Sequence, residues 1–267
     1  MTEGGPYLGR VRRFYDDWTP KFLAGFGSTF QAGLLKEAED GPEDLDINAR
    51  LLAQRAGIEP GDHVLDAGCG VGGPAMGIAS ALGGVRVTGI TVSGVQAAIG
   101  TGLVAEAGLA SRVSILQGDY HDLPFGRRSF DGAYLFEATG YSHDRSRLFH
   151  EVTRVVRPGG RIYVKDVFAP PPPLSRVQQL DLEAFDRLWC LSRTPSIPDV
   201  EQALRSAGCE IITSGPLANV GNSTFLRAMI EFDPGTIFRV NELGKAFALR
   251  AHDLPTFFGE VSARVRA

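Results

Sequence analysis

The sequence predicts an α/β fold built on a mostly parallel sheet, and three observations carry that expectation. From about residue 60 onward short apolar runs alternate with amphipathic stretches, the order expected of strand-helix units. The first run, "HVLDAGCG", enters a glycine turn and is followed by a helix start. Two further strand-like runs near the carboxyl end can pair at one sheet edge.

Taken in order, "HVLDAGCG" reads as a buried strand, and Pro74 suits the start of the helix "PAMGIASAL" because a first-turn residue needs no N–H. "RVTGI" is a second strand. Ser93 and Gln96 have capping-box spacing for a helix running to about Glu106. "RVSILQGD" and "FDGAYLF" supply the third and fourth strands. A helix from about Arg145 to Val156 ends at "RPGG", where Pro and Gly mark a turn, and "RIYVKDV" is the fifth strand. "APPPPLS" is extended, since each proline fixes its own φ and restrains its neighbour. It leads into "SRVQQLDLEAFDRLWCL", whose apolar positions recur at helical spacing, so residues 170–195 read as an inserted lid whose Phe185, Leu188 and Trp189 could roof a pocket. A helix (Pro198 to Ala207), the strand "CEIITS", a long mixed helix from "STFLRAMIEF" through "LGKAFALRA", and the strand "FFGEVSARV" follow.

Residues 1–55 show no strand pattern but carry Phe14, Tyr15, Trp18, Phe22, Phe26 and Phe30, which suits a helical cap over the carboxyl edge of a core spanning residues 56–267.

With 267 residues, 43% of them apolar and 22% charged, the chain has enough material for one large folded domain. The net charge of −4 provides no overall attraction for nucleic acid or an anionic membrane, and a small apolar molecule is the expected partner. No apolar run reaches membrane-spanning length and the first residues lack a signal-peptide pattern, so the expected location is cytoplasmic. Cys69, Cys190 and Cys209 are too widely spaced to suggest a zinc site or disulfide. Cys69 is expected to pack inside the glycine turn rather than act as a nucleophile. Oligomeric state is left open.

In an open parallel sheet the first strand-to-helix turn holds a nucleotide-like cofactor, and glycines let the backbone approach it. Gly68, Gly70 and Gly73 satisfy G-x-G-x-x-G, so a nicotinamide dinucleotide is one candidate. Asp66 just before the turn favours another, S-adenosylmethionine, because a carboxylate suits an ammonium and a sulfonium and repels a pyrophosphate.

Here the chain resembles the class I S-adenosylmethionine-dependent methyltransferases. "VLDAGCGVGG" is similar to their first motif, "QGDYHDLPF" to their acidic adenine-side loop, and "VVRPGGRIYVKD" to their post-helix strand. The resemblance implies a Rossmann-like fold with a seven-stranded sheet whose last strand is antiparallel. It also implies that Asp66, Gly68 and Gly70 line the methionine and ribose portion, that Asp119 accepts from the adenine amino group, and that Tyr120 or His121 flanks the ring. Many members carry an acid at the end of the second strand for the ribose hydroxyls; this chain has Thr91 there. The run "GITVSGVQ" is similar to the subgroup of sterol C-methyltransferases, tocopherol methyltransferases and small-amine N-methyltransferases, which implies cofactor contacts for Thr91 and Gln96. Gln96 as a capping-box partner of Ser93 stands beside that reading.

A phenol or alcohol acceptor needs a base before it can be methylated, whereas an alkene becomes a carbocation that must afterwards lose a proton. "FEATGYSHD", residues 136–144, puts Glu137 after the fourth strand and resembles the "IEATCHAPD" stretch of sterol C-methyltransferases; related geranyl diphosphate C-methyltransferases carry an acid in "NES" at the same place. The resemblance implies C-methylation of an isoprenoid alkene, a prenyl diphosphate or a sterol-like terpenoid, with Glu137 as cation stabiliser and base, assisted by Tyr141 or His143. The alternative is an O- or N-methyltransferase with His143 or Tyr141 as base. Arg10, Arg12 and Arg13 are candidates for holding a diphosphate, which would bring Mg²⁺ with it; no protein ligand set for a metal is expected.

Overall fold

The structure is a computed structural model that describes residues 4–29, 45–217 and 256–267. Two helices, α1 (Gly4–Phe26) and α2 (Leu45–Ala56), precede the first strand, β1 (His63–Ala67). Strand and helix then alternate through α3 (Gly73–Ala81), β2 (Arg86–Thr91), α4 (Gly94–Glu106), β3 (Val113–Gln117), β4 (Phe130–Phe136), α5 (Arg145–Val155) and β5 (Val156–Phe168). After them come α6 (Arg176–Trp189), α7 (Ile197–Ser206), β6 (Cys209–Pro216) and β7 (Phe257–Val265). The sequence segment expected to form a long mixed helix, residues 223–251, lies outside the described residues.

The strands form one seven-stranded sheet in the order β3-β2-β1-β4-β5-β7-β6. Neighbours among β1 to β5 run parallel, while β7 lies antiparallel to both β5 and β6. This is the Rossmann-like class I methyltransferase topology that the motifs imply. Successive residues of β4 feed opposite faces, as a pleated strand requires. Ala133 and Leu135 join the core with Leu65, Phe149 and Leu204, whereas Tyr134 and Phe136 join the other core with Leu52 and Ile78. Burial on both faces explains why β1 and β4 read as continuous apolar runs.

Two local expectations are corrected. "RPGG" is not a turn between the helix and the fifth strand: residues 157–160 belong to β5, where Val156 pairs with Phe130 and Arg161 with Gly132, so the extra residues are absorbed as an irregular bulge while the ladder continues. The capping box at α4 is half formed. Ser93 Oγ accepts from the Gln96 amide at 3.0 Å, but the Gln96 side chain turns instead to the Thr91 hydroxyl, which donates to Gln96 Oε1 at 2.6 Å. Complete capping boxes occur at α6, through Ser175 and Gln178, and at α7, through Ser196 and Asp199.

Helix α4 packs its middle against the glycine turn after β1. A Cβ on Gly100 would lie 2.8 Å from the Val71 carbonyl oxygen, a backbone atom that cannot swing away. Gly to Ala inside a helix ordinarily stabilises by about 1 kcal/mol. Gly100→Ala is expected to destabilise instead, by on the order of 1 to 3 kcal/mol. Urea unfolding measures this directly, and a raised midpoint would contradict the close approach.

Candidate functional site

A cavity opens at the carboxyl ends of β1, β2 and β4, where the strand order reverses between β1 and β4. Its floor contains Asp66, Gly68, Gly70, Thr91 and Gln96, and its far rim contains Asp119 and Tyr120. Glu137 and Tyr141 line the same cavity, in the segment that follows β4. The roof is α1, which presents Leu8, Val11, Tyr15, Thr19 and Phe22 along one helical stripe. Among the described residues no side chain of α6 lines the cavity, so the expected roof of Phe185, Leu188 and Trp189 is replaced by α1.

The glycine turn is folded by two amides, Gly68 N–H and Cys69 N–H, that donate to the Ile90 carbonyl at 2.9 and 3.0 Å. Gly68 has φ 97°, and a Cβ there would sit 2.6 Å from the Ala138 methyl, so the turn and the segment carrying Glu137 touch only because this side chain is absent. Cys69 is buried, and burial raises its thiol well above the usual value, which suits packing rather than nucleophilic attack.

Asp66 is 2% exposed and its Oδ2 has no hydrogen-bond partner. The Tyr134 hydroxyl approaches it without normal hydrogen-bond geometry and is itself unpartnered. Burial raises the Asp66 carboxyl to about 7, with the nearby phenol acting in the opposite direction. A buried acid in the lining of a cavity is a site for a cation or hydrogen-bond donor.

Asp119 is held differently. Burial pushes its carboxyl up, but His121 outweighs this by donating to Asp119 Oδ1 from its backbone amide at 2.9 Å and from Nδ1 at 2.7 Å, so the group lies below the usual range. The other ring nitrogen of His121 meets the Ser142 hydroxyl at 2.8 Å, and Arg147 donates to the His121 carbonyl. His121 is 1% exposed and does not line the cavity: it orients Asp119 from behind, leaving Tyr120 as the flanking ring. His143 is also displaced from its expected place. It lies at the surface with its ring 4.2 Å from that of His121, outside the cavity lining, because the turn at Thr139–Tyr141 directs residue 143 outward.

Glu137 has φ 54°, a left-handed backbone unusual for a residue with a side chain. Its amide donates to the Lys165 carbonyl at 2.7 Å and its Oε1 accepts from Lys165 Nζ at 2.5 Å. Lys165 is fully buried. One residue further along β5, Asp166 accepts from the Thr139 amide and hydroxyl, at 2.8 and 2.5 Å, and fixes the turn carrying Tyr141. Burial raises Asp166 to about 6 against these hydrogen bonds. The Tyr141 ring meets that of Tyr15 at 5.4 Å, and burial pushes both phenols up.

The roof is tied to the floor. Ser93 Oγ donates to Asp16 Oδ1 at 2.6 Å, and the Val95 amide donates to the same oxygen, so an acid of α1 caps the first turn of α4. At the other end the Tyr7 hydroxyl donates to the Cys190 carbonyl at 2.9 Å. Arg10 lies over the Tyr7 ring and Arg12 pairs with Asp16, and none of Arg10, Arg12 and Arg13 lines the cavity. Among the described residues no group of three metal-ligating side chains occurs, and no helix is long and apolar enough to cross a membrane.

Residues 65–164 match the family described as a methyltransferase domain. This chain carries a methyltransferase domain. A sterol 24-C-methyltransferase of Gibberella zeae is 29% identical over 255 residues, 90% of this chain and 66% of that protein. A cycloartenol-C-24-methyltransferase of Arabidopsis thaliana is 31% identical over 217 residues, 79% of this chain and 63% of that one. The chain thus spans just under two thirds of the length of these relatives. Among solved structures, the 4+2 cyclase SpnF superposes with TM-score 0.81 at 24% identity, each chain 97% covered. Geranyl diphosphate C-methyltransferase from Streptomyces coelicolor, in complex with Mg²⁺, geranyl diphosphate and S-adenosyl-L-homocysteine, superposes with TM-score 0.76 at 20% identity, each chain 99% covered. These likenesses establish the fold, and a fold shared with a cyclase leaves the reaction to be argued from the site.

Sequence reasoning placed Tyr15 in a helical cap but missed its contact with Tyr141, and it missed Lys165, Asp166 and Asp16 altogether. The signals were present. Leu8, Val11, Tyr15, Thr19 and Phe22 recur at helical spacing, and "VKD" interrupts a strand that is otherwise apolar.

The raised Asp66 carboxyl has a consequence for stability with a definite sign. Because the folded value, about 7, lies above the unfolded one, the folded state holds the proton more tightly, and stability from this group is present at low pH and lost as pH rises from about 4 through about 7. Asp66→Asn removes that loss. In the absence of ligand, the stability of D66N minus wild type is expected to grow between pH 5 and pH 8 by on the order of 3 kcal/mol. Thermal or urea unfolding across that range checks it, and a difference independent of pH would contradict the burial assigned to Asp66.

Proposed function

We propose that this chain transfers a methyl group from S-adenosylmethionine to a carbon of an isoprenoid alkene. The observation that carries the reading is that one cavity joins the glycine turn and the buried acid Asp66 to Glu137, beneath an apolar helix.

The residues present fit the cofactor. The Asp66 carboxylate in the lining suits its ammonium group, and Gly68 and Gly70 leave room for the backbone to approach it. The Thr91 hydroxyl occupies Gln96 Oε1, and among the described residues the Gln96 amide N–H groups meet no acceptor, so they suit ribose oxygens in place of an acid. Asp119, braced by His121, suits the adenine amino group, with Tyr120 as its flanking ring. When bound, S-adenosylmethionine supplies a methyl group on a sulfonium that a nucleophile can displace.

The chain's own residues then have three tasks. Leu8, Val11 and Phe22 exclude water and hold an apolar acceptor against the floor. Glu137 offers negative charge to the carbocation that forms on the acceptor. It then takes a proton from the neighbouring carbon, and the electrons of that C–H bond become the new alkene bond. A carboxylate is a far weaker base than a phenolate and does not hold the proton of a phenol, whereas a C–H beside a carbocation yields its proton to any carboxylate. Tyr141, its phenol pushed up by burial, is a poor base in the resting protein, and His143 is outside the cavity. Both facts weigh against the O- or N-methyl alternative. The acids Asp66, Asp119 and Glu137 in the lining also favour an acceptor without a diphosphate, so the sterol-like branch of the reading is preferred and no Mg²⁺ is invoked.

Labelled S-adenosylmethionine with sterols bearing a side-chain alkene, linear isoprenoid alcohols, prenyl diphosphates and phenols tests the proposal. Label is expected in a new C–C bond of a neutral alkene. Glu137→Gln is expected to lower kcat by about 100-fold or more while the cofactor Kd moves less than about threefold. Label found only on phenolic oxygen would overturn the alkene reading, and binding of NADH in place of S-adenosylmethionine would overturn the cofactor. Cofactor affinity is expected to fall about tenfold per pH unit below about 7, as Asp66 takes up a proton, and calorimetry across that range reads the slope.

A further inference from the structure

We propose that Lys165 is a positioning residue that holds the backbone and carboxylate of Glu137 in the conformation facing the cavity. Four observations converge on it. Glu137 sits at φ 54°, a conformation that costs a residue with a side chain on the order of 1 kcal/mol and persists only where its surroundings impose it. Lys165 contacts it twice, its carbonyl taking the Glu137 amide at 2.7 Å and its ammonium the Glu137 carboxylate at 2.5 Å. In the β4–β5 ladder Lys165 pairs with Phe136, so the amide bond to residue 137 extends the sheet by one step before the chain turns away. The lysine side chain is fully buried, with its ammonium 5.6 Å from the Phe258 ring centre.

Such a lysine is not explained by folding alone, since a buried ion pair is commonly no more stabilising than apolar side chains of the same size. What it provides is geometry and charge at one atom. The carboxylate is tethered through Oε1, which restricts its rotation and fixes where its other oxygen points. The ammonium also compensates the anion before the acceptor's cation forms. The kinetic consequence rests on the alkene reading above; the structural one does not.

Two measurements on the full chain separate these. The first is amide hydrogen exchange. Lys165→Met is expected to speed exchange at Glu137 and Ala138 by about tenfold or more, with residues 63–70 unchanged. Unchanged exchange at Glu137 would overturn the proposal, whatever the enzyme's substrate. Should K165M fail to fold, Glu137→Leu removes the same contact from the other side and is expected to speed the same two amides. The second is kinetic, with the alkene acceptor found in the labelling panel. K165M is expected to lower kcat by about 10- to 100-fold with acceptor KM and cofactor Kd within about threefold, and the double variant K165M/E137Q is expected to be no slower than E137Q. A further loss in the double variant, or an unaltered kcat in K165M, would show that Lys165 does not act through Glu137. If wild type methylates no alkene, the functional reading fails while hydrogen exchange still decides the role of Lys165.

Discussion

The parallel pairing of β1 with β2 on one side and β4 on the other is the constraint on which the rest of the site depends. Because the chain winds outward to β2 and β3 and then returns to place β4 beside β1, the helices leave the sheet in opposite directions at that junction. A crevice is left at the carboxyl ends, and the residues that follow β1, β2 and β4 must face it. Asp66, Thr91 and Glu137 are neighbours for that reason, although 71 residues separate the first from the last. The close contact between Gly68 and Ala138 draws the two loops together.

Around this crevice the structure places its acids in contrasting surroundings. Asp66 is buried with one oxygen unsatisfied and is pushed up to about 7. Asp119 accepts twice from His121 and is held low. Asp166, pushed up to about 6, spends its oxygens on Thr139 and Val167 and serves the loop rather than the cavity. Glu137 is matched to Lys165. Four acids in one region can thus differ in role because burial, hydrogen bonding and ion pairing act on them in different proportions.

Helix α1 completes the enclosure, and its attachment is polar while its inner face is largely apolar. Asp16 caps α4 at the first turn and Tyr7 reaches the carbonyl of Cys190, the residue that ends α6. The roof therefore couples to both the core and the segment after β5. The same helix brings Tyr15 against Tyr141, placing a phenol from the roof beside the loop that carries Glu137. An apolar acceptor held between such surfaces would be shielded from water, which a carbocation requires if it is to lose a proton rather than gain a hydroxyl.

How much of this was legible follows from the range of the interactions. The glycine turn, Asp66, the strand-helix alternation and the place of Glu137 after β4 were readable because local periodicity and turn chemistry specify them within a few residues. The seven-strand count and the antiparallel last strand followed from the family resemblance rather than from periodicity, and the strand order is set by the tertiary structure. His143 and His121 were misplaced because sequence proximity to Glu137 and Asp119 says nothing of which way a short turn directs each ring. Lys165 and Asp16 were invisible as site residues, since each acts on a partner 28 or 77 positions away. By itself the sequence determined the elements, the cofactor turn and the candidate acid, through pattern and propensity. Only the tertiary structure decided that α1 and not α6 forms the roof, that His121 braces Asp119, and that a buried lysine contacts Glu137, because those choices depend on contacts between elements whose side-chain directions are set by packing.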